Sequence, residues 1–256
     1  MLTHVDVNSD MGERDDPNGL ALDADMMPFI TSVNIACGGH AGSPNLMRRT
    51  SQLAAQHGVA IGAHPGLPDR EWFGRTEQSL PPQAITALVV EQIQTLVGLL
   101  SQDRLRLTHA KPHGALYNMA ANDRAVAQAI VRAVQAVDPT LRLYALAGSV
   151  LVTAAREAGL TVVNEAFADR AYRPDGRLVP RAQKGAVLES TEAVRRQLRQ
   201  LITGSVISVD GTSVPIKADS ICLHSDTAHA VPLARMIRQE LASAGISVAA
   251  PRHHHA

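Results

Sequence analysis

Aromatic side chains are scarce in this chain of 256 residues, which contains three Phe, three Tyr and one Trp. Proteins that bind single-stranded nucleic acids stack the bases on aromatic side chains, so this composition argues against such a function. Charge of one sign is also lacking, because 24 Lys and Arg residues balance 24 Asp and Glu residues. A neutral chain has no long-range attraction for a polyanion or a membrane surface. We therefore expect neither nucleic acid nor membrane as a partner.

Cysteines and long apolar runs are also few. Cys37 and Cys222 are the two cysteines, and no CxxC pair or disulfide framework is present. No uninterrupted apolar run approaches the ~18 residues that cross a bilayer. The opening residues MLTHVDVNSDMGE lack a basic segment followed by an apolar one, so we expect no secretory signal. A soluble protein of a reducing cytoplasm is predicted, and we exclude His253, His254 and His255 from its chemistry.

Several nucleotide and hydrolase motifs are missing. The sequence has no GxxxxGK[ST] phosphate loop, no GxGxxG after the first strand, no GxSxG elbow and no HExxH. If the protein uses a nucleotide, its phosphates must be held by something other than a P-loop.

Six hydrophobic runs each end in a cluster of acids, histidines, asparagines or lysine. They read HVDVNSDMGE, SVNIACGGH, VAIGAHPG, LRLTHAKPHG, TVVNEAFADR and SICLHSD. In a parallel α/β sheet the loops after the carboxyl ends of the strands open on one face. The sequence therefore predicts one composite active site, built from segments that are far apart in the chain.

Short β-branched runs alternate with amphipathic stretches along the chain. Candidate strands lie near 4–8, 33–36, 59–63, 105–109, 141–146, 161–165 and 220–223, with a last one at 246–249. Helical spacing of apolar residues is clear in 83–102, 194–202 and 233–241. This alternation predicts an α/β fold, a distorted (β/α) barrel of about seven parallel strands, in a single domain over 1–250 with a tail at 251–256. The pattern SVISV-DG-TSVPI predicts an added β-hairpin at 205–216.

Two connections, 65–82 and 166–189, are too long for plain turns. The second carries mostly basic residues: Arg170, Arg173, Arg177, Arg181 and Lys184, against Asp169 and Asp175. We interpret it as a basic flap that can close over an anion.

Polar residues alternate along the first predicted strand. Asp6 and Asn8 point to one side, and Asp10 lies just past the strand. An inward-facing acid can serve as a general base, a metal ligand or the orienter of a lysine. Alternatively, Asp10 and Glu13 satisfy backbone donors of the loop. Function is favoured because charges that face a barrel interior are costly unless they are paired.

The second block, NIACGGHAGSP at 34–44, predicts a helix that starts after Ser43, which is a good N-cap. Gly38 and Gly39 let the backbone approach a ligand, and the helix N-terminus favours an anion, with His40 at the mouth of that site. The alternative is that the glycines only form turns. Cys37 is interpreted as a buried small thiol.

His64 ends the third run. By itself it can be a structural imidazole, but with Asp10 and His40 it makes a candidate set of ligands for a divalent metal. The spacing of these residues matches no local metal motif.

The densest polar patch is HAKPHGALYN at 109–118. Its lysine, Lys111, is flanked by His109 and His113 and can neutralise a phosphate or a developing oxyanion. A solvent-facing strand end is the alternative.

Further candidates follow the later strands: Glu165, Arg170, His224 and Asp226. Asp226 can also cap the next helix.

These blocks, in this order, resemble the LamB/YcsF family, the A component of bacterial ATP-dependent 5-oxoprolinase. The resemblance rests on D-x-N-x-D-x-G-E at 6–13, N-I-A-C-G-x-H-A-G at 34–42, G-A-H-P at 62–65, K-P-H-G-A-L-Y-N at 111–118, E-A-F-A-D-R at 165–170 and H-x-D-T at 224–227. It implies a barrel related to the glycoside hydrolase/deacetylase group. It also implies ATP-coupled opening of 5-oxo-L-proline to L-glutamate with two partner subunits. The chain departs from the family pattern at Gly39, where an aromatic is usual, at Ser43, at 66–67 and at Ser225.

The implied chemistry gives the candidate residues roles. Asp10 or Glu165 is the hypothetical base, with Lys111 and His113 stabilising phosphate or oxyanion, and Asp6 is included in the catalytic set. The candidates for binding substrate or phosphate are Asn8, Gly38, Gly39, His40, His109, Arg170, His224 and Asp226.

Two other functions stay open. One is a metal-dependent deacetylase or amidohydrolase that uses Asp10, His40 and His64, and the other is a non-catalytic subunit that binds an anion.

Overall fold

The computed structural model describes residues 2–225 and 229–251. Its strands, in chain order, are β1 His4–Met11, β2 Ser32–Ala36, β3 Ala60–His64, β4 His109–Ala110, β5 Arg142–Leu146, β6 Val162–Phe167, β7 Ser205–Ile207, β8 Ser213–Pro215, β9 Ser220–Cys222 and β10 Ser247–Val248. Seven of them are parallel and close into a barrel in the order β1-β2-β3-β4-β5-β6-β9, with β9 paired back to β1. The predicted barrel is therefore confirmed.

Strand β1 closes the barrel because its two halves have different partners. Asp6 is in register with Ser220 of β9, and Asp10 is in register with Asn34 of β2. Glu165 of β6 pairs with Ser220 from the other side. The start of β1 also pairs with β10, which lies outside the barrel. This stagger brings acids from distant parts of the sequence into the barrel interior.

Helices surround the barrel. Their bounds in the described residues are α1 Pro17–Met26, a 3₁₀ helix Met27–Phe29, α2 Pro44–Gln56, α3 Pro82–Gln102, α4 Gly114–Ala120, α5 Arg124–Val137, α6 Val150–Glu157, α7 Thr191–Thr203 and α8 Ala230–Ser243. The predicted N-cap of α2 is confirmed, because the Ser43 hydroxyl accepts the Leu46 N–H at 3.2 Å.

Helix α3 carries a long repeat of aliphatic residues. Ile85, Val89, Ile93, Leu96 and Leu100 recur at helical spacing and are all buried. Within the described residues α3 is also long and apolar enough to cross a membrane, judged by length and composition alone. In the fold it packs against α5 and α2. Its apolar stripe is thus explained by the core of the barrel wall.

Two predicted strand segments differ in outcome. The fourth strand, predicted at 105–109, is shorter than expected and begins at His109, because the chain leaves α3 through a turn with Arg104 at φ 56°. The hairpin predicted at 205–216 is confirmed as β7 and β8, with Val206 opposite Val214. The Val209 N–H donates to the Tyr172 carbonyl at 2.9 Å, so the hairpin is tied to the long basic connection.

The connection was predicted at 166–189, but β6 continues to Phe167, so residues 168–189 are called the basic strap from here on. It is ordered by isolated β-bridges between Arg170 and Val187 and between Tyr172 and Leu178. Its Tyr172 side chain is fully buried, and the Tyr172 hydroxyl accepts a hydrogen bond from the Phe167 N–H at 2.7 Å. The strap therefore forms a wall beside the carboxyl end of β6.

Candidate functional site

Lys111 is the centre of the site, one residue past the end of β4. Its ammonium lies 2.8 Å from Glu165 Oε1 and 2.9 Å from Asp10 Oδ1. It also lies 3.2 Å from Asn8 Oδ1 and from Cys222 Sγ. Burial alone lowers the pKa of Lys111, but Asp10 and Glu165 outweigh it and raise that pKa well above its usual value. A permanently charged ammonium therefore joins residues from four barrel strands or their ends.

Asp10 connects this lysine to two histidines. Its Oδ1 accepts a hydrogen bond from Asn34 Nδ2 at 2.8 Å, besides the Lys111 contact. Its Oδ2 lies 3.3 Å from His64 Nε2 and 3.9 Å from His224 Nε2. Burial by itself raises the pKa of Asp10, but His64 and Lys111 hold that pKa well below its ordinary value. The carboxylate is therefore ionised and suited to orient a polar ligand.

A lower layer of the barrel holds Asp6. Its carboxylate accepts hydrogen bonds from the hydroxyls of Thr31, Ser32, Tyr144 and Ser220, at 2.6, 2.7, 3.0 and 2.5 Å. Burial raises the pKa of Asp6, and the hydroxyls of Ser220, Thr31 and Ser32 oppose that effect. Asp6 thus ties β1 to its neighbours below the site. It does not line the cavity described below.

Asn8 and His109, both predicted to bind substrate or phosphate, lie in a polar layer between Asp6 and Lys111. Asn8 Oδ1 accepts from Asn34 Nδ2 at 2.8 Å, and Asn8 Nδ2 donates to Ser220 at 2.7 Å. His109 Nε2 lies 2.9 Å from Asn34 Oδ1. Both side chains are buried against protein groups, and neither lines the cavity.

Glu165 is the second carboxylate that contacts the Lys111 ammonium. The Tyr117 hydroxyl donates to its Oε2 at 2.7 Å, and the residue is fully buried. Because Glu165 does not line the cavity, its position suits holding the lysine better than contacting a substrate.

His64 and His113 form a close pair. The Nδ1 of His64 donates to the Lys111 carbonyl at 2.8 Å, and the Nε2 of His113 donates to the Phe73 carbonyl at 2.8 Å. The other ring nitrogens of the two histidines lie 2.9 Å apart. Burial lowers the pKa of His113 well below its ordinary value.

His40 and Glu13 complete this cluster. The ring of His40 stacks on that of His113 with centroids 3.5 Å apart. The Nε2 of His40 lies 3.1 Å from Glu13 Oε1, which is 3.6 Å from His113 Nδ1. The possible ligand atoms of Glu13, His40, His64 and His113 all lie within 4.8 Å of one another. We call these four residues the histidine cluster.

The three residues of the predicted metal set, Asp10, His40 and His64, fall into two different groups. His40 and His64 belong to the histidine cluster, whereas Asp10 groups with Cys222 and His224.

His224 bridges two carboxylates. Its Nδ1 lies 3.0 Å from Asp169 Oδ2, and its backbone N–H donates to the same oxygen at 3.3 Å. Its ring stacks on Phe167 with centroids 5.5 Å apart. With Nδ1 donating to Asp169, Nε2 is turned towards Asp10. The predicted residue Asp226 lies outside the described residues.

A cavity of about 760 Å³ opens above these groups. It is in the size range of small-molecule sites. Asp10, His64, Lys111, His113 and His224 line it from the barrel end. Basic side chains line much of the rest of its wall: Arg75, Arg170, Arg173, Arg177 and Arg181. The cavity therefore offers an acid, histidines and a lysine at one end and several cations around an incoming ligand.

Gly38 and Gly39, predicted to cradle an anion, do not line this cavity. The Gly38 carbonyl accepts a hydrogen bond from Arg70 at 3.2 Å. A Cβ on Gly39 would lie 2.5 Å from the Gly66 carbonyl oxygen and 2.6 Å from Gln92 Oε1. The close approach that these glycines permit is therefore to other parts of the protein.

Arg170 has a structural position within the basic strap. Its guanidinium donates to the carbonyls of Val179 at 2.8 Å and Ala186 at 3.3 Å. Burial and the nearby Arg181 lower its pKa. Arg173, Arg177 and Arg181, further along the strap, are therefore better candidates for contacting an anion.

Several residues that the structure brings into the site were not among the candidates chosen from the sequence, and four of them are Glu13, Asn34, Tyr117 and Asp169. Each stands inside one of the polar blocks. Asn34 could have been found from its position at the start of NIACGGH, on the inward face of β2. The partners of Tyr117 and Asp169, however, are 48 and 55 residues away in the chain. Only the strand order brings them together.

His109 gives a prediction about stability and pH. Burial lowers its pKa from 6.5 to about 3, so the folded protein keeps it neutral while the unfolded chain takes up a proton below pH 6.5. The stability that it contributes is therefore present above pH 6.5 and is lost as the pH falls. Between about pH 7 and about pH 4 we expect the free energy of unfolding of the native protein to fall by roughly 3 kcal/mol more than that of His109→Gln.

Urea unfolding at several pH values measures this difference. The exposed His57 provides the control, as His57→Gln should follow the native curve. Equal pH slopes for the native protein and His109→Gln would contradict the assignment.

The closed parallel barrel is similar in fold to deacetylase-like barrels. The catalytic domain of a peptidoglycan N-acetylglucosamine deacetylase from Eubacterium rectale has this fold, with a TM-score of 0.51 and 14% identity. The match covers 100% of this chain and 94% of the deacetylase chain. The LamB/YcsF family model matches residues 5–256, and the chain belongs to the LamB/YcsF family.

Relatives cover almost the whole chain. The A component of 5-oxoprolinase from Bacillus licheniformis is 48% identical over 250 residues, which are 97% of this chain and 99% of the relative. The crystal structure of the lactam utilization protein from Thermus thermophilus matches with a TM-score of 0.88 and 43% identity. That match covers 97% of this chain and 100% of the other. The family expected from the sequence motifs is therefore confirmed.

Proposed function

We propose that this chain is the subunit of an ATP-dependent 5-oxoprolinase that binds 5-oxo-L-proline and opens its ring to L-glutamate. It works with two companion subunits in the cytoplasm. One observation carries the proposal beyond the names of the relatives. The Lys111 ammonium, held between Asp10 and Glu165, lies at the floor of a cavity lined by arginines. Such a site suits a substrate that carries a carboxylate and acquires a phosphoryl group.

The chemistry explains why ATP is needed. A five-membered lactam is a resonance-stabilised amide, so it is a poor electrophile. Transfer of the terminal phosphoryl group of ATP to the lactam oxygen produces a better one and releases ADP. Water then adds to the activated carbon, the C–N bond breaks, and the ring nitrogen takes a proton. The resulting γ-glutamyl phosphate is hydrolysed by a second water to glutamate and phosphate.

The side chains of the site have roles in this scheme. Lys111 balances the negative charge on the phosphorylated oxygen, and Glu165 with Tyr117 keeps its ammonium in place. Asp10, ionised and lining the cavity, orients the attacking water. His224 accepts the proton of that water at Nε2, because Asp169 accepts the N–H at Nδ1. Glu165 is the poorer candidate for the base because it is buried behind the lysine.

A second candidate function is hydrolysis of an amide or ester without ATP, as in a metal-dependent deacetylase. The observation that favours it is the histidine cluster beside the cavity. The two candidates differ in their need for ATP and for the companion subunits.

One assay separates them. Glutamate and phosphate release from 5-oxoproline is followed with this chain alone and with its candidate partner subunits, each with and without ATP. We expect glutamate only when all subunits and ATP are present. Cleavage by this chain alone without ATP would favour the second candidate. Turnover by the partners without this chain would contradict the proposed function.

A further inference from the structure

The histidine cluster has hydrogen-bond donors that are already committed. A backbone carbonyl can only accept a hydrogen bond, so the contacts of His64 Nδ1 with Lys111 O and of His113 Nε2 with Phe73 O fix the protons on those nitrogens. With those protons fixed, His64 Nε2 and His113 Nδ1 face each other at 2.9 Å, and each can offer its lone pair to a cation. Two lone pairs at that distance repel each other unless a cation lies between them or beside them.

A proton would satisfy two nitrogens, but this cluster contains more ligand atoms than a proton can use. Glu13 Oε1 lies 3.6 Å from His113 Nδ1 and 3.1 Å from His40 Nε2. In a tetrahedral zinc site with bonds of about 2.0–2.1 Å, neighbouring ligand atoms are roughly 3.3 Å apart. Three of the six separations, 2.9, 3.1 and 3.6 Å, lie around that value, and all six are within 4.8 Å.

The surroundings of the cluster also fit a metal site. Histidine ligands of a metal usually donate their second ring N–H to a backbone carbonyl or a carboxylate, and His64 and His113 both do so. His40, His64 and His113 are 1%, 1% and 5% exposed, so water does not surround the ligand atoms.

We propose that Glu13, His40, His64 and His113 bind one divalent transition metal ion of the zinc class. Imidazole ligands select such an ion over magnesium or calcium, which prefer oxygen. The bound ion adjoins Asp10, whose Oδ2 is 3.3 Å from His64 Nε2, and so lies at the edge of the cavity. This inference does not depend on the proposed reaction, because a metal can hold the site together whatever the substrate is.

The test measures metal binding directly, without ATP, 5-oxoproline or partner subunits. The full chain is prepared with His253→Ala, His254→Ala and His255→Ala, so that the terminal histidines cannot contribute. After treatment with a chelator it is titrated with Zn²⁺ by calorimetry and with Co²⁺ by visible absorption, which reports tetrahedral coordination. We expect one ion per chain and a rise in the melting temperature on adding Zn²⁺.

Variants identify the ligands. Even residues that only support a metal ligand typically change affinity 10–100-fold, so Glu13→Gln and His113→Gln should each weaken Zn²⁺ binding by about 100-fold or more. Glu13→Gln is the milder change and keeps the test valid if His113→Gln does not fold. His57→Gln alters an exposed histidine and should bind Zn²⁺ like the parent.

The absence of stoichiometric binding would overturn the proposal. Equal Zn²⁺ affinity in the parent and in folded Glu13→Gln would overturn it as well. Neither result bears on ATP-dependent turnover, so failure of the metal site and failure of the proposed function are distinguishable.

Discussion

Replacing Lys111 by methionine is expected to lower the rate of ATP-dependent glutamate formation about 100- to 1,000-fold and also to destabilise the fold. The rate falls because the ammonium that faces the phosphorylated oxygen is removed. Stability falls by about 3–5 kcal/mol because Asp10 and Glu165 then remain buried without their cation. Glutamate release with the partner subunits and urea unfolding of the isolated chain measure the two effects.

A double variant separates these effects. Lys111→Met with Glu165→Gln removes one of the two buried negative charges together with the lysine, so it should recover part of the lost stability. Activity should stay as low as in the single variant. If the double variant regained both stability and activity, Lys111 would have only a structural role. An active, fully stable Lys111→Met would contradict the site as a whole.

His224→Gln is expected to lower kcat by about 100- to 10,000-fold, the usual range for a general base. Asp169→Asn should have an effect of similar size, because an amide at this position no longer fixes the proton on His224 Nδ1. Since both residues serve one proton transfer, the double variant should be little worse than either single variant. Steady-state rates over a range of pH, measured with partner subunits and ATP, check this.

Asp6→Asn is the matched control for these variants. Asp6 is also a buried acid, but it is bonded to four hydroxyls below the site and does not line the cavity. We expect this change to lower the free energy of unfolding and to change kcat only a few-fold. A loss of activity as large as that of His224→Gln, at unchanged stability, would return Asp6 to the catalytic set.

Much of the fold could be predicted because six of the seven barrel strands end in a recognisable polar block. The blocks alone also indicated Lys111, Asp10 and His224, since all strands of a parallel barrel present their carboxyl ends on one face. How deep each of these side chains lies within the barrel could not be predicted in the same way. Asp6 and Asp10 are four residues apart on one strand, yet only Asp10 reaches the cavity. That difference depends on the stagger of β1 against β2 and β9.

Contacts between distant loops were also beyond the reach of the sequence. The glycines at 38 and 39 have the composition of an anion-binding turn, but Arg70 and Gln92 occupy their surroundings. A functional role was favoured for the acids of the first block, but the contacts of Glu13 with His40 and His113 arise only when three separate loops fold over the barrel end. Local patterns thus identified the segments that form the site, whereas tertiary packing decided which side chains face the ligand.

The pairing of β1 with β9, which closes the barrel, affects how the chain folds during synthesis. Strand β1 is synthesised first, but β9, which pairs with it, begins only at Ser220. Strand β6 pairs with β9 as well, so one edge of β6 also stays unpaired until β9 is made. At ordinary translation rates the ribosome needs roughly 3–10 s to extend the chain from β6 to β9. During that interval β1 and β6 both expose unpaired edges that can pair with other chains. Recovery of soluble protein should therefore be sensitive to slow codons between these strands and to the supply of chaperones.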